Sequence, residues 1–326
     1  MGKEMKTTAK KRKKTHKLRN FLIGLLVIAA AILLLCYMMV GSFYRQMNYT
    51  EIESLSEEPM KEDGVINILL IGNDSRDNDE SGRSDAMILL SISSKTKTVH
   101  ITSLLRDIYV DIPGYENNRL NAAYSYGGAE LLMETIEANF DIEVNRYVQV
   151  NFEAFANLVD AVGGVDLELS NEEVLLVNGY LWEYNLLTDR PEGTDYFAED
   201  VEGLVHLNGP QALAYCRNRA IGNDFGRTER QRKVLSAMIA KAPKLLLNLD
   251  DVIEGVFSNV TTNLTRSECM KLASQATSFL THDIVQGSIP LENTYSNASI
   301  RGMSVLEVDF EANNAYIRSE IYGENE

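Results

Sequence analysis

The chain has 326 residues, 45% of them hydrophobic, and a formal net charge of −16. That length holds one large domain or two small ones, and the acidic balance argues against a nucleic-acid-binding surface, which is basic overall. Three cysteines are too few for a disulfide-built scaffold, and the four histidines (His16, His100, His206 and His282) are too scattered for a metal-ligand pattern.

Charge is unevenly spread from the start. Residues 1–20 hold nine cations and one acid, and residues 21–43 then run for 23 residues without a charge. About 20 apolar residues span a bilayer as a helix. The run is too long for the core of a cleavable leader, and Cys36-Tyr37-Met38-Met39 is a poor cleavage site, so a retained signal anchor is expected. The positive-inside rule keeps residues 1–20 in the cytoplasm and places the remainder outside. Without its first twenty residues the chain carries about −24.

Residues 44–63 are polar and acidic and read as an extracytoplasmic stalk. Strands are expected over 65–71, 86–92 and 98–104, from short apolar runs rich in β-branched residues. If the second strand is antiparallel to both neighbours, Asp74, Asp85 and Arg106 gather at one edge of the sheet, where α/β folds build sites. The pattern predicts a helix over 129–140 and a second over 152–162, with Asn151 as its N-cap and Gly163-Gly164 as its stop. A strand follows at 165–170, and residues 171–205 read as a long irregular insert. Asn208 caps a short helix running to about Cys216, and a long helix is expected from Gly226 to about Leu247. A helix over 265–280, a strand over 304–310 and a helix over 312–321 complete the pass. Nothing in the spacing of Cys216 and Cys269 requires a disulfide, and two buried free thiols are the simpler expectation.

Six cations crowd between Arg217 and Lys233, namely Arg217, Arg219, Arg227, Arg230, Arg232 and Lys233, in a chain that is otherwise acidic. Arg227 and Gln231 share the N-terminal end of a face continued by Val234, Leu235 and Met238. A basic first turn opposes the helix dipole, and a bound anion would remove the conflict. Arginine forks match phosphate oxygens bidentately, and an aspartate pair with oxygen-ligand character suits Mg²⁺. The residues therefore point to an extracytoplasmic, membrane-tethered site for a metal-bound diphosphate.

The segments "NILLIGNDSR", "GRSDAMILLSI", "LLRDIYVDIPG", "LNAAYSYGG", "FANLVDAVGGVDLEL", "LNGPQALAYCRNR" and "NDFGRTERQRKVL" fall in the order seen in the LytR-CpsA-Psr family of bacterial cell-wall proteins, which the chain resembles from about Ile66 to Lys241. The resemblance implies a mixed α/β fold, a central sheet flanked by helices, behind one N-terminal transmembrane helix. Its implied divisions are a tail (1–20), an anchor (21–43), a stalk (44–63), a catalytic domain (64–247) and a C-terminal extension packed on it (248–326). It also implies a membrane-anchored phosphotransferase that moves a glycopolymer, teichoic acid or capsular polysaccharide, from a polyprenyl-diphosphate carrier to peptidoglycan, with no nucleic-acid partner.

Residue by residue, Asp74 and Asp85 match Mg²⁺-associated carboxylates, with Mn²⁺ as the substitute ion. Arg83, Arg106, Arg217, Arg219, Arg227 and Gln231 match diphosphate contacts. Asp224 matches an acidic position that joins Asp74, Asp85 and Arg106 as catalytic candidates, and Arg230 matches a second arginine that could be structural. Leu131, Leu132, Ile136, Leu158, Val234 and Met238 are candidates for the lining of a polyprenyl tunnel, with core packing as the alternative. Leu105 departs from the proline frequent before Arg-Asp in the family, and Cys216 is a second departure. A polyprenyl-diphosphate hydrolase, a non-catalytic envelope scaffold and a membrane-bound transcriptional attenuator stay open as other readings.

Overall fold

The structure is a computed structural model that describes residues 40–42, 44–52, 60, 64–73, 84–241, 256–279 and 281–324. The chain divides into two compact units, residues 1–45 and 46–326. The basic tail and almost all of the expected membrane span lie outside the described residues, as do Asp74, Arg83 and the side chain of Asp85. Among the described residues no helix is long and apolar enough to cross a membrane.

In chain order the elements are β1 (Asn48–Tyr49), β2 (Val65–Asn73), β3 (Ser84–Ser93), β4 (Thr98–Leu104), β5 (Tyr109–Val110), β6 (Asn118–Arg119), α1 (Leu120–Phe140), β7 (Tyr147–Asn151), α2 (Phe152–Ala161), β8 (Val165–Leu169), α3 (Asn171–Leu187), β9 (Gly203–Leu207), α4 (Gly209–Arg217) and α5 (Asn223–Lys241). Then come β10 (Val260–Thr262), α6 (Arg266–Phe279), β11 (Asp283–Ile289), β12 (Tyr295–Ile300), β13 (Met303–Val308) and α7 (Phe310–Glu320). Seven strands form one mixed sheet in the order β1-β10-β7-β2-β3-β4-β11. The β2–β3–β4 meander is antiparallel throughout, whereas β7 and β11 run parallel to β2 and β4.

Strand β2 shows why the sheet is covered on both faces. Its side chains alternate, and so do the clusters they enter. Leu69 and Ile71 pack with Leu120, Leu132, Ile136 and Phe140 of α1 and Ile317 of α7. Ile66 and Ile68 pack on the opposite face with Ile92, Val99 and Leu264, against which Leu272 and Phe279 of α6 lie. A separate cluster joins α2, the β8–β9 hairpin, α3, α4 and α5 through Val159, Val165, Val177, Leu207, Tyr215 and Val234.

The caps expected of α2 and α4 are present. Asn151 accepts the Ala154 N–H at 2.8 Å, and Asn208 and Gln211 form a reciprocal capping box with Pro210 in the first turn. Gly163 and Gly164 adopt left-handed φ values of 79° and 71° after α2, the conformation that glycine enters without a Cβ clash. Gly209 is also required: a Cβ there would fall 2.1 Å from the Ala156 carbonyl oxygen, so α4 can start tight against α2.

Several expectations need correction. Residues 171–187 are a helix, not irregular chain, and Ser170 and Glu173 form its capping box. Val174, Val177, Leu181 and Asn185 form its buried stripe, while Leu175, Trp182 and Leu186 are exposed. Apolar residues around the whole circumference hide the stripe from a periodicity reading. Helix α5 begins at Asn223, three residues before Gly226, and is described to Lys241. The helix over 129–140 extends back to Leu120 through a break at Gly127 and Gly128. Among the described residues of the expected stalk, Asn48–Tyr49 pairs with β10, and Ile52 and Met60 are buried. Residues beyond 248 are not an appended layer either, because β10 and β11 belong to the central sheet.

Candidate active site

Register fixes which chain ends meet. Asn73 at the end of β2 pairs with Ser84 at the start of β3 and with Asn151 at the end of β7. Gly72 pairs with Ala86, so Asp85 is the extra residue of a bulge in β3. Bulges interrupt the ladder and re-aim the chain where sites are built. Arg106 follows β4 by two residues at this same edge. The backbone therefore brings the end of β2, Asp85 and Arg106 to one edge, as the antiparallel order predicted, while Asp74 lies outside the described residues.

A cavity of about 810 Å³ opens at this edge, with Gly72 and Ala86 in its lining and Arg217, Arg219, Arg227 and Gln231 on its cationic side. These four reach it from the end of α4, the α4–α5 loop, and the second and third turns of α5. Arg106 does not line it but is joined to it through Asp224, whose Oδ1 lies 2.8 Å from Arg227 Nη2 and 3.6 Å from Arg106 Nη2. Arg106 Nε is also 3.7 Å from Asp107, which in turn pairs with Arg119 at 3.0 Å. The result is an alternating chain of carboxylates and guanidiniums leading from β6 to α5.

The first turn of α5 is thus acidic, not basic, since Asp224 sits there. Asp224 favours the helix N-terminus and holds Arg227, a turn further on, so the expected conflict with the dipole is resolved within the chain. Asp224 Oδ2 and Gln231 Oε1 are buried and, among the described residues, have no hydrogen-bond partner. Both are hard oxygen acceptors of the kind Mg²⁺ takes, although the described residues hold no group of three or more His, Cys, Asp or Glu suited to a metal.

The remaining cations separate by role. Arg230 donates to the carbonyl oxygens of Asn218 (2.8 Å) and Ile221 (2.6 Å), so it braces the α4–α5 loop from inside. Arg232 is buried away from the cavity lining, and Lys233 pairs with Glu229 at 2.8 Å. Arg217 lies 5.2 Å from the Phe152 ring centroid and 5.8 Å from that of Tyr180, with Glu183 3.5 Å from its Nη2. The Tyr180 hydroxyl accepts the Arg219 backbone N–H at 3.3 Å. Phe152, Tyr180 and Glu183 carried no motif signal; the Ser170-x-x-Glu173 capping box could have placed the last two on one helix face.

The six apolar candidates for a lipid tunnel fall into two cores. Leu131, Leu132 and Ile136 belong to the cluster on α1, whereas Val234 and Met238 belong to that of α2–α5, with Leu158 half-buried against it. None lines the described cavity.

Cys216 and Cys269 are both free. Burial pushes the Cys216 thiol up to about 12 and that of Cys269 up to about 11. Since the thiolate is the reactive form, iodoacetamide at neutral pH should leave Cys216 unmodified in the native protein and alkylate it fully after denaturation. Peptide mass mapping reads the difference.

A model of the LytR_cpsA_psr family matches residues 37–317. The chain belongs to this family. Among curated relatives, the polyisoprenyl-teichoic acid--peptidoglycan teichoic acid transferase TagU of Bacillus mycoides (strain KBAB4) is 36% identical over 208 residues, 62% of each chain. The TagU of Oceanobacillus iheyensis is 32% identical over 282 residues, 80% of each. The matched segment spans just under two thirds of several of these relatives, 62–64% of the Bacillus and Enterococcus proteins. Among solved structures, TagT bound to LI-WTA superposes with a TM-score of 0.63 at 27% identity, covering 82% of this chain and 94% of that one. The family protein YwtF (TagT) with bound octaprenyl pyrophosphate lipid gives 0.60 at 25% identity, covering 82% and 95%. The mixed sheet flanked by helices is therefore the architecture of solved LytR_cpsA_psr proteins.

Proposed function

We propose that this family member is a phosphotransferase that attaches a glycopolymer, teichoic acid or capsular polysaccharide, from a polyprenyl-diphosphate carrier to peptidoglycan. The observation that carries the reading is the wall formed by Arg217, Arg219 and Arg227 in one cavity, with Arg106 tied to it through Asp224. A diphosphate is the anion such a set of forks suits. The names of the TagU relatives and the octaprenyl pyrophosphate bound to YwtF support the choice. In this reading residues 21–43 anchor the protein in the membrane, residues 1–20 stay in the cytoplasm, and the domain works outside the cell.

In the proposed reaction an acceptor hydroxyl of peptidoglycan, on N-acetylmuramic acid, attacks the phosphorus nearest the glycopolymer. A new phosphorus–oxygen bond forms, the bond to the bridging oxygen breaks, and polyprenyl phosphate leaves. The arginines offset charge that develops on the transferring group and on the leaving phosphate, the main source of rate in phosphoryl transfer. Asp74 and Asp85 would hold Mg²⁺ or Mn²⁺, which supplies further charge neutralisation when bound. The hydroxyl proton passes to one of Asp74, Asp85 and Asp224, of which Asp224 also holds Arg106 and Arg227 in place.

The test is ligand stabilisation of the full-length protein in detergent, with an octaprenyl diphosphate and Mg²⁺. A ligand that binds only the folded state raises the melting temperature by mass action, by about 5–10 °C at a hundred times Kd for a domain of this size. Arg106→Ala should melt near the wild type without ligand and lose the shift. No shift in the wild type would overturn the reading.

A further inference from the structure

Helix α3 is the part of the site that the motifs do not reach, and it touches the arginine wall at two residues, Tyr180 and Glu183, and the brace behind that wall at a third, Glu173. Glu173, in its capping box, lies 3.7 Å from Arg230, which braces the loop carrying Arg219. Tyr180 stacks near Arg217 and accepts the Arg219 N–H. Glu183, one turn beyond Tyr180, faces Arg217 from inside the same cavity.

The geometry around Arg217 limits where a ligand can reach it. Phe152 and Tyr180 rings occupy two sides of the guanidinium at cation–π distances. Its donor edge is left for anions, and Glu183 is on that edge. The separation of 3.5 Å is long for a charge-assisted hydrogen bond, and both side chains are partly exposed, 28% for Arg217 and 45% for Glu183. Such a contact is weak. It contrasts with the 2.8 Å contact that joins Asp224 to the 3%-exposed Arg227 side chain. One carboxylate is built in, and the other is loosely held where an incoming phosphate oxygen would bind.

We propose that Glu183 is a resident anion of the arginine wall, which keeps Arg217 oriented in the free protein and is displaced when a diphosphate or phosphate ester binds. This rests on the diphosphate reading of the cavity. Tyr180 is the positioning residue beside it: the ring holds the Arg217 fork and the hydroxyl fixes the Arg219 backbone. Because Glu183 competes with the ligand, it weakens binding and speeds release of the phosphate product. Removing it has the opposite sign from removing a structural contact.

The experiment compares wild type, Glu183→Gln, Glu183→Asp and Tyr180→Phe as full-length proteins in detergent. The probes are inorganic diphosphate and geranylgeranyl diphosphate at fixed Mg²⁺. Loss of a weak competing ion pair should tighten the Kd of Glu183→Gln for both probes by about threefold, with a slower off-rate. Glu183→Asp, which keeps the charge, should stay closer to wild type. Tyr180→Phe should bind more weakly, since it frees the Arg219 backbone. Wild type that binds while Glu183→Gln binds equally or more weakly overturns the proposal and makes Glu183 a structural contact. Wild type that binds neither probe removes the diphosphate reading itself, and the proposal with it.

Discussion

Arg227→Ala should lower the rate of glycopolymer transfer by about 10²–10³-fold, the cost of removing one preorganised donor from a charge-stabilising site. The side chain joins two functions. It lines the cavity, and its Nη2 lies 2.8 Å from Asp224, which also faces Arg106 at 3.6 Å. Removing it therefore takes away one fork and loosens the anchor of another. The assay is product formation from a polyprenyl-diphosphate-linked polymer with peptidoglycan fragments as acceptor. Arg227→Lys restores charge without the planar fork and should recover only part of the activity. A fully active Arg227→Ala protein would mean that the site lies elsewhere.

The second large effect concerns stability. Arg146, 4% exposed, is gripped by Glu268 through contacts of 2.8–3.0 Å from Nε and Nη2. This pair fastens α6 to the sheet beside β7. Burial alone would raise the Glu268 pKa, but hydrogen bonds from Arg146 and Thr265 and the Arg146 charge hold it below the ordinary value. Glu268→Ala leaves a charge stranded in the interior, at a cost of about 3 kcal/mol, or about 6–12 °C in melting temperature. The sign with pH follows from the lowered pKa. The contribution is complete above the unfolded value of about 4.3 and fades as pH falls through the folded one. Wild type and variant should converge in melting temperature under acid. A constant gap down to the lowest pH would show that the loss is one of packing and not of charge.

Much of this architecture was legible because local signals and burial agree. The strand over 98–104 emerges at the predicted residues, and those of the first two strands differ by no more than two. Asn151 and Asn208 are caps as expected, since an amide oxygen before a helical run has little else to do. The gathering of Asp85 and Arg106 at one edge followed from strand order alone. What was hidden is what depends on long-range partners. The α3 stripe is masked by Leu175, Trp182 and Leu186 on its solvent side. Strands as short as β1 and β10 carry too little pattern to be seen before their neighbours are known. The acidic start of α5 was missed because Asn223 enters the helix with φ 52°, a conformation that propensity does not favour. The division of six cations into three that face the cavity, a brace, a buried arginine and a surface ion pair required coordinates.

The two ends of the sheet order also have a consequence for how the protein comes into being. Both edges of the four-strand β7-β2-β3-β4 block are closed by late chain: β10 covers β7 from residue 260, and β11 runs beside β4 from residue 283. A polypeptide synthesised from its N-terminus therefore exposes open strand edges until nearly all of it has emerged. Pairings across more than a hundred residues carry a loop-closure cost that delays them further. This timing keeps the sheet unclosed until its last strands have formed. The arginine wall then gains a rigid floor only when the last strands have arrived.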